Sequence, residues 1–234
     1  MTRTTQSLGS FYASQCGRRV FRQICRSIDP CWPDIAGARV LTVGYATPFC
    51  VELEKKSPQF ILETDPTDKN ENPDVLKIRE NALPFPNGSF QYALVVNALE
   101  YVSDPAALLK ELWRILAHNG SLICIVPNRY SLWGVQKTMP PMQGALFSGK
   151  ELDRLAGENR FLTKRRNSAV FLPPAAYTHN VDILDEFISY LPLSAGAFLI
   201  SEMLKQALVL SGTPKKSYKS ARMTKASILS SPRS

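Results

Sequence analysis

Histidine is scarce in this 234-residue chain, which holds only His118 and His179, and its five cysteines form no C-x-x-C pair. That scarcity excludes the usual zinc-ligand patterns, and no metal site is expected. Cys16, Cys25, Cys31, Cys50 and Cys124 are odd in number and scattered, so no disulfide framework is implied either. A reducing cytoplasm is the expected setting, with the thiols acting as small buried hydrophobes; Cys50 and Cys124 stand in apolar stretches where a thiol is inert. Long apolar runs are missing too. The opening MTRTTQSLGS has no leader-like apolar core, and the nearest approach to a bilayer span, Leu191 to Leu210, carries Glu202 and Lys205. That stretch reads as a core element, and membrane association is not expected.

Acidic residues are missing from the two ends. Residues 211–234 carry six Lys or Arg and no acid, residues 1–39 carry six Arg against Asp29 and Asp34, and the stretch between sums to −2 within a net charge of +8. A near-neutral body is not a nucleic-acid face, and the basic tail lacks the interleaved aromatics that stack bases, so nucleic acid is not an expected partner. No Ser-His-Asp set stands out, and Gly44 is too isolated for a dinucleotide fingerprint. His118 is expected at a helix C-terminus, interacting with its dipole, and His179 precedes a helix.

The composition that remains, 44% hydrophobic and 21% charged, supports one globular core and excludes whole-chain disorder and collagen. Between Phe11 and Ile28, Val20, Ile24 and Ile28 keep helical spacing among Arg18, Arg19, Arg22 and Arg26, which predicts an amphipathic helix with a basic outer face. Arg39 to Gly44 (RVLTVG) predicts a first strand, Phe49 to Lys56 a helix, and Gln59 to Glu63 (QFILE) a second strand. Thr64 to Asp74 reads as a loop and Val75 to Ile78 as a brief strand. Tyr92 to Val96 (YALVV) and Leu122 to Val126 (LICIV) are the continuous apolar runs of strands buried on both faces. Between them Asp104-Pro105 opens a helix whose Leu108, Leu109, Leu112, Ile115 and Leu116 keep a 3.6 period until Asn119-Gly120 stops it.

Pro127 to Gly149, rich in Pro, Gly and Met, predicts a long lid loop, and Ser148 with Glu151 spells a capping box for a helix to about Gly157. Arg160 to Leu172 predicts a strand, Val181 to Tyr190 a helix, and Ala197 to Ala207 fits strand or helix. Strands this far apart favour crossovers over hairpins, hence an α/β fold with a doubly wound, mostly parallel sheet. The expected organisation is a basic amphipathic helix and lead-in over 1–38, a main domain over 39–210 with its lid at 127–149, and a basic disordered tail over 211–234.

In such a sheet ligands bind beyond the carboxyl ends of the strands, which groups Val43 to Pro48, Glu63 to Asp65 and Asn97 to Tyr101. Residues 83–129, LPFPNGSFQYALVVNALEYVSDPAALLKELWRILAHNGSLICIVPNR, resemble the central part of class I S-adenosylmethionine-dependent methyltransferases. The LPFP turn, the strand ending in a polar residue, the Leu-Glu pair, the Asp-Pro helix start, the W-R-I-L helix end and the strand running into PNR all stand in register. More narrowly, the chain is similar to a bacterial subgroup of the type 11 methyltransferase domain whose first loop reads G-Y-A-T-P, here Gly44 to Pro48; the likeness runs from about Phe11 to Lys205.

The resemblance implies a Rossmann-like class I methyltransferase fold, S-adenosylmethionine as cofactor, and methyl transfer to a small-molecule or protein acceptor. It assigns Gly44 to close backbone approach, with Tyr45, Ala46 and Thr47 standing where most of the superfamily has further glycines, so that side chains there narrow the methionine pocket. Glu63, with Asp65 as a near alternative, is the ribose acid, and Glu80, beside Arg79 where an acid is usual, is an adenine-side acceptor. Asn97 faces the sulfonium or the substrate, and Leu99 belongs to the same cofactor-binding set. Gln91 replaces a more usual Asp, which puts one structural hydrogen bond in question.

On the substrate side, Tyr101, where His is usual, either flanks the methyl site or packs in the core, and Asn128 and Arg129 open the lid, as substrate contacts or as a turn. Gln143 and Ala145 replace a lid His and Arg of the subgroup. Methyl transfer demands alignment more than a general base, so no residue is assigned a catalytic role. The substituted cofactor loop and depleted lid keep a second reading open, a catalytically silent methyltransferase-fold protein that binds or regulates a partner.

Overall fold

The computed structural model describes residues 7–46, 48–49, 59–63, 82–136, 139–178 and 195–206. Two helices open the chain, α1 (Leu8–Ala13) and α2 (Gln15–Ile28), where the periodicity predicted one helix from Phe11. The break is Ser14, extended at φ −71 and ψ 164, whose hydroxyl accepts from Gly17 N and donates to Phe11 O. A Cβ on Gly17 would stand 2.0 Å from Phe11 O, so glycine is what allows the bend. Periodicity misses this because one serine ends the first helix and caps the second, leaving the apolar spacing of α2 intact.

β1 (Val40–Gly44), β2 (Gln59–Glu63), β3 (Phe90–Val96), β4 (Leu116–Pro127), β5 (Phe161–Ala169) and β6 (Phe198–Lys205) form one sheet in the order β2-β1-β3-β4-β6-β5. β1 to β4 run parallel, and β6 lies antiparallel to both β4 and β5. The chain goes from β1 to β2 on one side and returns to β3 on the other, so the strand order switches beside the carboxyl ends of β1 and β3. This is the expected open, mostly parallel, Rossmann-like sheet. Further α-helices among the described residues are α3 (Pro105–Ile115), α4 (Leu132–Gln136) and α5 (Gly149–Glu158). Leu108, Leu109 and Leu112 of α3 and Leu152 of α5 bury one face with Leu41, Val43, Val95 and Cys124. On the other face α1 and α2, with Trp32, Trp133 and Tyr177, pack on Val40, Leu94, Val96, Ile123 and Ile125.

Local signals held where the cap is local. Asp104 Oδ1 accepts from the amides of Ala106 and Ala107, and the Ser148–Glu151 capping box is closed in both directions. Gln91 keeps its bond: its Oε1 accepts from Arg39 N at 2.8 Å. The end of α3 differs from expectation. The helix stops at Ile115 and Leu116 is already in β4 opposite Phe90, because strand pairing overrides the helical period. Arg114 fixes that end by donating to the carbonyls of Leu83 and Phe85 and to Asn87 Oδ1. His118 is therefore an exposed residue of β4, and the helix-dipole role does not apply.

The lid region is more structured than a bare loop. It contains α4 and a 3-10 turn at Pro140–Met142, with Trp133, Pro140 and Met142 buried, and its base is closed by a bridge between Asn128 and Phe147. The stretch 197–207 resolves as strand β6 through Lys205; a strand covered on both faces loses its alternation. Cys16, Cys25, Cys31 and Cys124 are free thiols, and burial pushes the Cys124 thiol far up, consistent with an inert core residue. The expected helix beyond Phe49, loop Thr64 to Asp74, strand Val75 to Ile78, helix Val181 to Tyr190 and basic tail lie outside the described residues, as do Cys50, Asp65, Arg79, Glu80 and His179. Among the described residues no helix is long and apolar enough to cross a membrane.

Candidate functional site

Parallel register brings three strand ends together. Gly44, the last residue of β1, pairs with Glu63 at the end of β2 on one side and with Val96 at the end of β3 on the other. Gly44 adopts φ +87, and a Cβ there would stand 2.2 Å from Val96 O, so only glycine lets the chain turn this close to β3. The turn is tight: Ala46 N donates to Gly44 O at 2.8 Å, and Phe49 N to Ala46 O at 2.8 Å. Thr47 lies outside the described residues, and neither Tyr45 nor Ala46 opposes the turn. Tyr45 swings toward α1 and stacks on Tyr12, centroids 5.5 Å apart and planes 11° apart, while Ala46 is buried in the layer that holds Phe49.

At the end of β3, Asn97 is fully buried with φ 47, a left-handed conformation that non-glycine residues adopt at a cost. Its side chain is spoken for on both atoms. Tyr12 Oη donates to Asn97 Oδ1 at 2.9 Å, and Asn97 Nδ2 donates to Glu100 Oε1 at 2.8 Å. Glu100 is buried, its Oε2 has no hydrogen-bond partner, and burial pushes its carboxyl up to about 8 against the Asn97 bond, which favours the ionised form. Burial, then Glu100, then Tyr45 and Tyr101 also hold the Tyr12 phenol well above its usual range. Leu99 is fully buried in the aliphatic layer against α3.

Neither Glu100 nor Tyr12 was picked out from the sequence. The N-x-x-E spacing of Asn97 and Glu100 at a strand end was the available signal; nothing local announces Tyr12, which is 85 residues from its partner.

The substrate-side residues anchor the cover of this edge. Tyr101, half-buried, donates to Pro140 O at 2.6 Å. Asn128 Nδ2 donates to Gly196 O and its Oδ1 accepts from Tyr130 N, so the side chain braces the turn after β4. Arg129 pairs with Glu151 at 2.6 Å and donates to Leu146 O, tying the lid base to the start of α5. Gly44, Tyr45, Ala46, Asn97 and Tyr101 thus gather at one edge, with the end of Glu63's strand beside them. Arg129 is turned to Glu151. A cavity of about 280 Å³ lined by Asp34, Tyr92 and His118 lies at the opposite edge of the sheet, away from all of these residues.

A family model described as a methyltransferase domain matches residues 16–175. No curated protein matches the chain in sequence. Similar solved structures include an S-adenosylmethionine-dependent methyltransferase from Thermotoga maritima, described as a possible histamine N-methyltransferase, at 20% identity and TM-score 0.60, covering 85% of this chain and 94% of that one. A second, an S-adenosylmethionine-dependent methyltransferase from Mesorhizobium loti, has 14% identity, TM-score 0.54 and coverages of 77% and 96%. A third is geranyl diphosphate C-methyltransferase from Streptomyces coelicolor, solved with Mg2+, geranyl diphosphate and S-adenosyl-L-homocysteine, at 15% identity, TM-score 0.53 and coverages of 80% and 80%. At such identities these likenesses establish the fold; with the family match over residues 16–175, the chain belongs to the methyltransferase-domain family.

Proposed function

We propose that the protein transfers a methyl group from S-adenosylmethionine to a small-molecule or protein acceptor. The observation that carries this reading is the alignment of Gly44, with its φ of +87, between an acid-ended strand and the strand leading to Asn97, at the point where strand order switches. A sulfonium nucleoside needs backbone approach at one point and a carboxylate for its ribose hydroxyls at the next, and the donor set at this edge fits both needs. In this reading the Gly44 turn, with Tyr45 and Ala46, receives the methionine part, Glu63 the ribose and Glu80 the adenine side, while Leu99 backs the pocket.

Asn97 orients the reacting centre, Tyr101 flanks it, and Asn128 and Arg129 at the lid base guide the acceptor. The cofactor supplies an already electrophilic methyl group. The chain's contribution is alignment and exclusion of water, with no general base assigned. The G-Y-A-T-P subgroup and a cytoplasmic setting belong to the same proposal.

Calorimetric titration of the folded protein with S-adenosylhomocysteine tests it. Saturable micromolar binding, weakened about ten-fold or more in Glu63→Ala, supports the reading. No heat at millimolar ligand overturns it in favour of a silent, partner-binding member of the family.

A further inference from the structure

Two covers lie over the strand ends, and both are fastened to one residue. α1 is the first: Leu8, Phe11 and Tyr12 are buried, and Tyr12 reaches Glu100 through Asn97. The second is the lid segment 139–146. Ala145 N donates to Glu100 O at 2.9 Å, and Gly144 packs so closely that a Cβ on it would stand 2.8 Å from Glu100 Cγ. Tyr101, the next residue, holds Pro140 of the same segment. Beneath these covers Gly44, Ala46 and Asn97 are buried, so a ligand reaches or leaves Gly44 only while at least one cover is displaced.

α1 is suited to that movement. It is six residues long and joins α2 through the single extended residue Ser14, whose hydroxyl accepts from Gly17 N in the first turn of α2.

We propose that Glu100 is a positioning residue that latches both covers, α1 through Asn97 and Tyr12 and the lid through its own backbone and stem, and that S-adenosylmethionine and its product pass only when the latch opens. The ligand in this statement rests on the reading of Proposed function; the latch does not. Glu100 carries one bonded carboxyl oxygen and one with no partner, so the closed state holds the carboxyl neutral and opening lets water reach Oε2. Among the described residues, the titratable groups coupled to Glu100 are Tyr12 and Cys124; burial holds the protons of both well above their usual ranges, so neither compensates a buried carboxylate. Opening is therefore coupled to proton release, and rising pH loosens the covers until the closed-state carboxyl itself ionises.

Amide hydrogen exchange on the full chain, read by segment with and without S-adenosylhomocysteine, tests the latch. Tyr12→Phe keeps the ring against Tyr45 and removes only the hydroxyl bond. It is expected to speed exchange of residues 8–13 about ten-fold while leaving 139–146 and α3 unchanged. Glu100→Ala is expected to speed both 8–13 and 139–146. Glu100→Gln keeps the bond from Asn97 and is expected to protect both segments at neutral pH. It should also abolish the wild type's extra loosening, beyond intrinsic exchange, which grows as pH rises toward about 8 and levels off above it.

Unchanged exchange of 8–13 in Tyr12→Phe, or equal acceleration in α3, overturns the latch; Tyr12→Phe and Glu100→Gln decide the matter even if Glu100→Ala does not fold. With ligand, Tyr12→Phe should raise association and dissociation rates of S-adenosylhomocysteine together, leaving Kd nearly constant, an effect that general loosening of the fold does not produce. Binding with unchanged rates defeats the passage claim alone, whereas no binding to folded wild type defeats the methyltransferase reading and leaves the exchange result to judge the latch.

Discussion

The face of the sheet under α3 and α5 is aliphatic, with Leu41, Val43, Val95, Leu108, Leu109, Leu112, Leu122 and Leu152 all buried, whereas the face under α1 and α2 is built largely from rings. There Phe11 meets Tyr12 at 5.1 Å and Trp133 at 6.3 Å, Phe21 meets Phe49 at 5.0 Å, and Trp32 meets Tyr92 at 4.9 Å. The ring face is also laced with directed bonds: Trp32 Nε1 to Ser121 Oγ, Tyr12 to Asn97, and Lys164 Nζ to the buried Glu202. Aliphatic packing asks only for volume and dryness, while rings and buried polar atoms ask for particular positions. The first face should therefore hold most of the stability, and the second should fix where the strand-end groups stand.

The sharpest way to break that division is Leu112→Ala. Leu112 is fully buried in α3, and the change should cost roughly 3–5 kcal/mol in urea unfolding while leaving S-adenosylhomocysteine affinity unchanged in the protein that remains folded. A cost under about 1 kcal/mol would mean that the aliphatic face is not the main support.

Next in size is the pH dependence set by Glu100. Because burial raises this acid from 4.5 to about 8, the folded state keeps its proton where the unfolded chain has released it. Stability therefore falls as pH rises through that window and is flat above it, by on the order of 3 kcal/mol after relaxation of the site. Urea titrations below, within and above the window should show this slope, and Glu100→Gln should remove this component.

How much of the molecule the sequence disclosed follows the same contrast. β1, β2, β3, the start of α3 and the capping box of α5 were legible because their signals are local: a Gly-ended apolar run, an Asp-Pro start, a Ser-x-x-Glu box. The end of α3 was not, because Leu116 fits a helical period and only its pairing with Phe90 makes it a strand. Nor could β6 be told from a helix, since Ile200 and Met203 are buried on opposite faces and alternation disappears. At the strand ends the resemblance singled out Gly44 and Asn97, whereas the bonds of Tyr12 and Glu100 join the first helix, the end of β3 and the lid, and no window of sequence contains all three.

The smallest effect separates position from stability on the ring face itself. Trp32 Nε1 donates to Ser121 Oγ at 3.0 Å, both residues are buried, and the indole lies against Tyr92. Trp32→Phe keeps a ring but loses the donor and some volume; Ser121→Ala loses the acceptor and leaves the indole N–H unpaired. A double-mutant cycle isolates the bond from the lost volume and should give a coupling of about 1 kcal/mol. That is a fraction of the Leu112 effect. A coupling as large as the Leu112→Ala cost would erase the distinction between the faces, because a single directed bond would then support the fold as strongly as a leucine in the aliphatic layer.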